Sequence, residues 1–340
     1  MKKIVVTGAG GYIGTQLVRD LVNKGNKVLA VDRLFFGIEP LLEFQKNNQV
    51  EILKKDIRDL EPKDLEGYEF VCDLACLSND PAGEIDPRLT YEINRDGRIH
   101  VAKTAKLAGI ERYIISSSCS VYGQGEESKL SENSSTNPIS VYAKSTLEAE
   151  NETLSLADTN FSVTALRNAT VFGLSTRMRF DLVVNLMTLS AFQKSRIIVM
   201  GGGLQWRPLV HVSDVSKAFL TVIDSKYKLI NQEIYNVGLD NFQIRKLAFL
   251  ISEILPFDVE VEVAPDDMDK RDYNVSFSKI FEKLNFSPSR SIEFGVNEIY
   301  SALKSATVDT GIKTNTVKWY RNILESKVLL DSISLNNRII

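Results

Sequence analysis

The sequence predicts an α/β fold, a doubly wound parallel sheet joined to a smaller mixed α/β domain. Three observations carry that prediction. Short apolar runs alternate with segments of helical periodicity through the first half of the chain. Those runs lack polar alternation, as strands covered on both faces do. The first of them also enters its helix through a glycine-rich turn.

The elements follow in order. Lys3-Ile4-Val5-Val6-Thr7 is the first buried strand. From Ile13 to Lys24 the residues Ile13, Leu17 and Leu21, with Val18 and Val22 beside them, recur at helical spacing until Gly25 stops the helix. Lys27-Val28-Leu29-Ala30-Val31-Asp32 is the second strand, and further strands are expected at Val50 to Leu53, Phe70 to Ala75, Tyr113 to Ser117 and Phe161 to Leu166. Helices are expected between them near residues 87 to 108 and 139 to 157. Right-handed crossovers then wind the sheet in the Rossmann manner.

The second half is less regular. It predicts helices near Asp181 to Gln193, Val212 to Ile223, Arg245 to Leu255, Ser278 to Leu284 and Ile292 to Lys304. Strands are expected near Ile197 to Met200, Ile234 to Val237 and Val259 to Val263. The division is therefore a dinucleotide-type domain over 1–170, a mainly substrate-binding domain over 171–305 with segments near 197–238 returning to the sheet, and a C-terminal extension over 306–340. That extension is polar apart from an amphipathic piece around Val317 to Leu324, and its role is not readable.

The 340 residues carry 41 Lys and Arg against 44 Asp and Glu, a net charge of −3, so no general basic surface offers itself to nucleic acid or an anionic membrane. No apolar stretch approaches the roughly 20 residues that span a bilayer. The expectation is a cytoplasmic protein. Three cysteines, Cys72, Cys76 and Cys119, and two histidines, His100 and His211, show no zinc-ligand spacing, so no metal is expected.

Thr7-Gly8-Ala9-Gly10-Gly11-Tyr12-Ile13-Gly14 lies between the first strand and helix, where a pyrophosphate can rest on the free N–H groups of a helix N-terminus. Gly8 permits the turn, Gly11 lets the backbone approach phosphate, and Gly14 lets helix and strand close up. Asp32 ends the second strand, where its carboxylate can accept from ribose hydroxyls and repel a 2′-phosphate. NAD is thus favoured over NADP, with Arg33 weakening the preference slightly.

The glycine spacing resembles that of the extended short-chain dehydrogenase/reductase superfamily, in its nucleotide-sugar epimerase/dehydratase branch. Other segments share the resemblance: Asp56-Ile57, Leu74-Ala75, Asn94, Ser116 to Gly123, Arg167 to Gly173, Arg207 to Asp214 and Tyr235 to Gly238. The resemblance implies NAD contacts from Gly8, Gly11, Tyr12, Ile13, Gly14, Asp32, Asp56, Ile57, Leu74, Ala75 and Tyr142. It implies that Tyr142 is the catalytic base, assisted by Ser118. Oxidising a sugar hydroxyl needs such a base while hydride leaves, and a tyrosinate serves if its pKa falls from roughly 10.

The family places a lysine four residues after this tyrosine, where Thr146 stands here. Positions 142 and 146 share a helix face, whereas Lys144 points about 200° away, so it is a poor substitute. Sugar 4,6-dehydratases of this kind carry an Asp-Glu pair where Cys119 and Ser120 stand. Neither can supply the extra acid and base that water elimination needs, which disfavours dehydration.

For substrate, the resemblance implies contacts from Ser118, Asn168, Asn185 and Arg207, with Arg271 as a third diphosphate contact or a surface ion pair. His211 reads as structural. The loop Leu77 to Gly83 is expected over the mouth of the site. The resulting expectation is an NAD-dependent nucleotide-sugar epimerase acting by transient oxidation at C4, forming a homodimer through the helices near 87–108 and 139–157. The alternatives are a one-way sugar dehydrogenase or ketosugar reductase, and a protein that binds NAD and nucleotide sugar with little turnover.

Overall fold

A computed structural model describes residues 1–125, 127–265 and 272–334. The main sheet takes β1 (Lys3–Thr7), β2 (Lys27–Asp32), β3 (Val50–Lys54), β4 (Phe70–Asp73), β5 (Arg112–Ser118), β6 (Ser162–Asn168) and, from the second half, a strand at Glu233–Val237. Between β6 and that strand lie β7 (Thr170–Phe172), β8 (Arg196–Val199) and β9 (Trp206–His211), which makes Glu233–Val237 β10; β11 (Asp240–Gln243) and β12 (Glu260–Val263) follow. The seven strands run parallel in the order β10-β6-β5-β4-β1-β2-β3.

Alternation along β1 shows why both faces must be covered. Ile4 and Val6 face one layer, formed by Leu17, Val18 and Leu21 of α1 (Tyr12–Asn23) and by Ala218, Phe219 and Val222 further on. Val5 faces the other, with Val101, Ala102, Ala105 and Ala149. The order reverses between β1 and β4, and a crevice opens at their carboxyl ends, where α/β proteins bind ligands.

The expected long helix at 87–108 is interrupted. After the short α2 (Asp80–Gly83), α3 (Pro87–Tyr91) passes into a π-helical stretch at Glu92–Gly97 and then α4 (Arg98–Leu107). The wider turn lets the buried Asn94 accept from the Leu77 N–H at 2.7 Å and donate to the Leu77 carbonyl at 3.1 Å. That double bond ties the 77–83 loop to the helix. The next helix, α5 (Val141–Leu154), is shorter than the 139–157 expected; Ser140 caps its N-terminus by accepting from Ala143 N.

In the second half come α6 (Val183–Lys194), α7 (Val212–Asp224), α8 (Ile244–Ile254), α9 (Ser278–Leu284), α10 (Ile292–Lys304) and α11 (Thr316–Ile333). α7 and β10 return to the main sheet, α7 packing beside α1. β8 and β9, which fall in the 197–238 stretch expected to return, do not: β9 joins β7 and β11 in a three-stranded sheet, and β8 pairs with β12. These strands and α6, α8 and α10 enclose a separate core of Val184, Ala191, Ile197, Leu247, Ile251 and Val296.

The C-terminal extension, unreadable from its composition, continues as α11, eighteen residues long. Its first turn lies against the loop after β2. Among the described residues no helix is long and apolar enough to cross a membrane.

Candidate active site

The cleft at the carboxyl ends of β1 and β4 encloses about 690 Å³. Its floor is the turn between β1 and α1. Gly8 holds φ +66°, and a Cβ on Gly14 would stand 2.1 Å from the Gly8 carbonyl, so the helix approaches the strand only because that atom is missing. α1 begins with no side-chain cap, leaving the N–H groups of its first turn directed at the cleft.

Asp32 closes one end. It accepts from Gly10 N at 2.9 Å and from Leu34 N at 2.6 Å, and burial raises its pKa against the pull of those bonds and of Arg177. Arg33, expected to soften the NAD preference, turns to Asp56 at 3.0 Å and lies over the Phe35 ring. Asp56, Ile57, Leu74 and Ala75 line the same end and the adjoining wall. These features fit a dinucleotide. They provide a phosphate cradle, a carboxylate for a ribose and an apolar wall.

The other end holds Tyr142 and Ser118. Tyr142 lines the cleft from the first turn of α5, and Ser118 lines it from the end of β5. Ser118 Oγ also accepts from Ser120 N at 3.1 Å, which fixes its rotamer. Burial holds the Tyr142 phenol well above its ordinary pKa, and Cys76 and Asp80 push the same way. The Ser118 hydroxyl and the Arg98 guanidinium oppose them.

Arg98 is buried and donates to Asp73 Oδ2 at 2.9 Å and to the Ser116 carbonyl at 2.7 Å, so it braces β4 against β5 beneath the cleft. Behind β5, Glu150 pairs with Arg167 at 2.6 Å and accepts from Ser117 at 2.5 Å. Arg167 donates in turn to the Tyr122 hydroxyl at 3.0 Å.

The other expected residues divide. Gly8, Gly11, Tyr12, Ile13, Gly14, Asn168 and Arg207 line the cleft, Arg207 lying over the Tyr273 ring at 5.5 Å. Asn168 donates to Ser116 Oγ at 3.0 Å, while its own buried Oδ1 has no hydrogen-bond partner. Asn185 is not brought to the cleft. Its amide is spent on Gly173 N at 3.0 Å, the Tyr12 hydroxyl at 3.1 Å and the Arg179 carbonyl at 2.8 Å, so it joins α6 to α1. Thr146 is buried behind the cleft wall, and Lys144 is exposed on the far face of α5. Arg271 lies outside the described residues.

Several lining residues escaped the sequence reading. Arg177 is 5% exposed, its Nε has no partner and, among the described residues, no carboxylate pairs with it; burial drives its pKa down to about 10. Arg179 pairs with Asp181 at 2.8 Å and donates to Ser78 Oγ at 3.1 Å, and Asn79 donates to Asp181 at 2.8 Å. The 77–83 loop is thus latched to the 177–182 segment. Phe35, Phe36 and Tyr320 also line the cleft.

Comparison with known proteins accords with this geometry. A UDP-glucuronic acid decarboxylase 1 from Arabidopsis thaliana is 28% identical over 318 residues, covering 89% of this chain and 70% of that protein. A UDP-glucose 4-epimerase from Lactobacillus helveticus is 26% identical over 258 residues, 69% of this chain and 76% of its own. Among solved structures, the UDP-N-acetylglucosamine 4-epimerase from Methanobrevibacter ruminantium M1, in complex with UDP-N-acetylmuramic acid, superposes with a TM-score of 0.81 at 27% identity. It covers 90% of this chain and 99% of its own. Residues 4–238 match the family described as the NAD dependent epimerase/dehydratase family, more than half the chain. The chain therefore belongs to that family and is an enzyme whose cofactor is NAD.

Proposed function

We propose that this protein is a nucleotide-sugar epimerase that inverts a hydroxyl-bearing carbon, C4 in the first instance, through transient oxidation. The observation that carries the reading is the Ser118–Tyr142 hydroxyl pair at the end of β5, followed by Cys119 and Ser120. That set can move one proton on and off one sugar oxygen. It has no further acid and base with which to expel water.

NAD supplies the hydride acceptor and, on the return, the hydride donor. Tyr142 takes the proton from the sugar hydroxyl as the carbonyl forms, and Ser118 donates to the same oxygen while charge develops on it. The ketosugar turns over in the cleft, and Tyr142 returns its proton as hydride arrives on the opposite face. Asp32, Asp56, Ile57, Leu74 and Ala75 would hold the adenosine half, and the first turn of α1 the pyrophosphate. Arg207 and Asn168 would hold the substrate, with Arg177 as a further anion-facing cation. The substrate class is supported by relatives whose names specify UDP-linked sugars.

The reading includes a homodimer formed by the outward faces of α4 and α5. Beside them, Arg95 of the π-helical stretch pairs with Glu148 of α5 at 2.8 Å, so the face is charged.

The deciding experiment incubates the protein with a panel of UDP-sugars and NAD and follows the products by proton NMR. An epimer appearing without net NADH supports the reading. Stoichiometric NADH would establish a one-way dehydrogenase, and release of CO2 a decarboxylase. Binding without any product would establish the sensor-like alternative.

A further inference from the structure

The C-terminal helix meets the cofactor end of the cleft through a few specific contacts. Trp319 donates its indole N–H to the Phe35 carbonyl at 2.7 Å. The Tyr320 ring sits 6.2 Å from Phe35 and 5.9 Å from Phe36, centroid to centroid. Just upstream, Phe180 N donates to the Thr314 carbonyl at 2.8 Å, and Arg177 donates to Thr316 Oγ1 at 3.1 Å while stacking over Phe36 at 3.5 Å. Tyr320 lines the cleft, where its hydroxyl senses Asp32, Cys76, Arg177 and Arg179, groups from both walls.

The docking is confined to this start. From Arg321 onward the helix is largely exposed, so burial of its outer half does not explain why it lies here. The solved M. ruminantium enzyme, matched over 99% of its length, covers 90% of this chain, so about a tenth of the chain lies outside the shared fold. A mechanical link is also present. Asp32, the ribose-facing carboxylate, accepts from Leu34 N, and the next residue, Phe35, receives the helix.

We propose that the first turns of α11 are part of the cofactor site, Tyr320 closing the adenosine side of the cleft so that NAD is retained between turnovers and leaves only when the helix lifts. The proposal rests on reading this cleft as the NAD site. Retention suits a reaction that regenerates its own cofactor, since each turnover ends with the dinucleotide in the state in which it began.

The test is the release rate of bound NADH, followed by its fluorescence in a chase with excess NAD. Tyr320→Ala should speed release roughly tenfold or more, since losses of contact appear chiefly in the off-rate, and Tyr320→Phe should release at the parental rate. Hydrogen exchange on the parent gives a second measurement: amides of 316–324 should gain protection with NADH while those of 325–333 do not. Tyr320→Ala releasing at the parental rate overturns the proposal. Should that variant fail to fold, unchanged protection at 316–324 in the parent overturns it instead. A parent that binds no NADH overturns the reading of the cleft itself.

Discussion

Thr146 sits one helical turn beyond Tyr142 on the buried face of α5, its hydroxyl enclosed without a hydrogen-bond partner. An ammonium at that position would favour the tyrosinate by Coulomb attraction, on the order of a few kcal/mol at an effective dielectric near 20. Threonine supplies no charge, and the Arg98 guanidinium that does act on Tyr142 is already paired with Asp73. Thr146→Lys is expected to raise turnover roughly 10²- to 10⁴-fold, the usual size of an acid–base contribution, while Lys144→Ala changes little. The sign with pH follows from the raised phenol. The active tyrosinate is scarce at neutrality, so the parental rate should climb with pH, and Thr146→Lys should move that limb to lower pH. Steady-state kinetics across pH check both statements; an unchanged limb in Thr146→Lys would count against Tyr142 as the base.

Asp32 should make NAD the preferred dinucleotide. A 2′-phosphate would be set against its carboxylate, and Arg33 is turned to Asp56 rather than toward that position. Like charges so placed cost several kcal/mol, so Asp32→Ala should narrow the NAD/NADP preference by roughly 10²-fold. Titration calorimetry with both dinucleotides measures it. Equal affinities in the parent would contradict the assignment.

Glu150 and Arg167 form a buried ion pair with side chains 0% and 4% exposed. Removing one partner leaves the other charge enclosed, so Glu150→Ala should destabilise the fold by about 3–5 kcal/mol. Urea unfolding reads that loss. Glu150→Gln, which keeps the hydrogen bonds to Ser117 and part of those to Arg167, should lose less.

The proposed homodimer is checked by sedimentation. If the charged faces of α4 and α5 meet across it, a dimer at micromolar protein should weaken as salt is raised. A monomer at low salt would exclude that assembly.

The parts of the fold that were legible share one property: their signal is local. β1, the glycine turn and α1 announce themselves because the strand is covered on both faces and the turn needs particular glycines. The 174–182 segment and α11 gave no such signal, since what they do depends on partners over a hundred residues away. Arg179 meets Ser78, and Trp319 meets Phe35 across 284 positions. Asn185 misled for the related reason that a buried asparagine has the same chemistry whether it faces a phosphate or the protein's own backbone. Only its surroundings, Gly173, Tyr12 and Arg179, decide the matter.

The π-helical stretch at Glu92–Gly97 carries a consequence for how such a protein can diverge. One residue removed from that wide turn would restore a regular helix with its flanks in place and take away the bulge that seats Asn94 against Leu77. Asn94 would lose its place beside Leu77, releasing the loop through which Ser78 and Asn79 line the cleft. A single codon deletion would thereby reshape that wall of the cleft without altering any side chain on it. Descendants of this scaffold have in that turn a short route to a differently shaped cleft, and engineers have a dial that leaves Tyr142 and Ser118 in place.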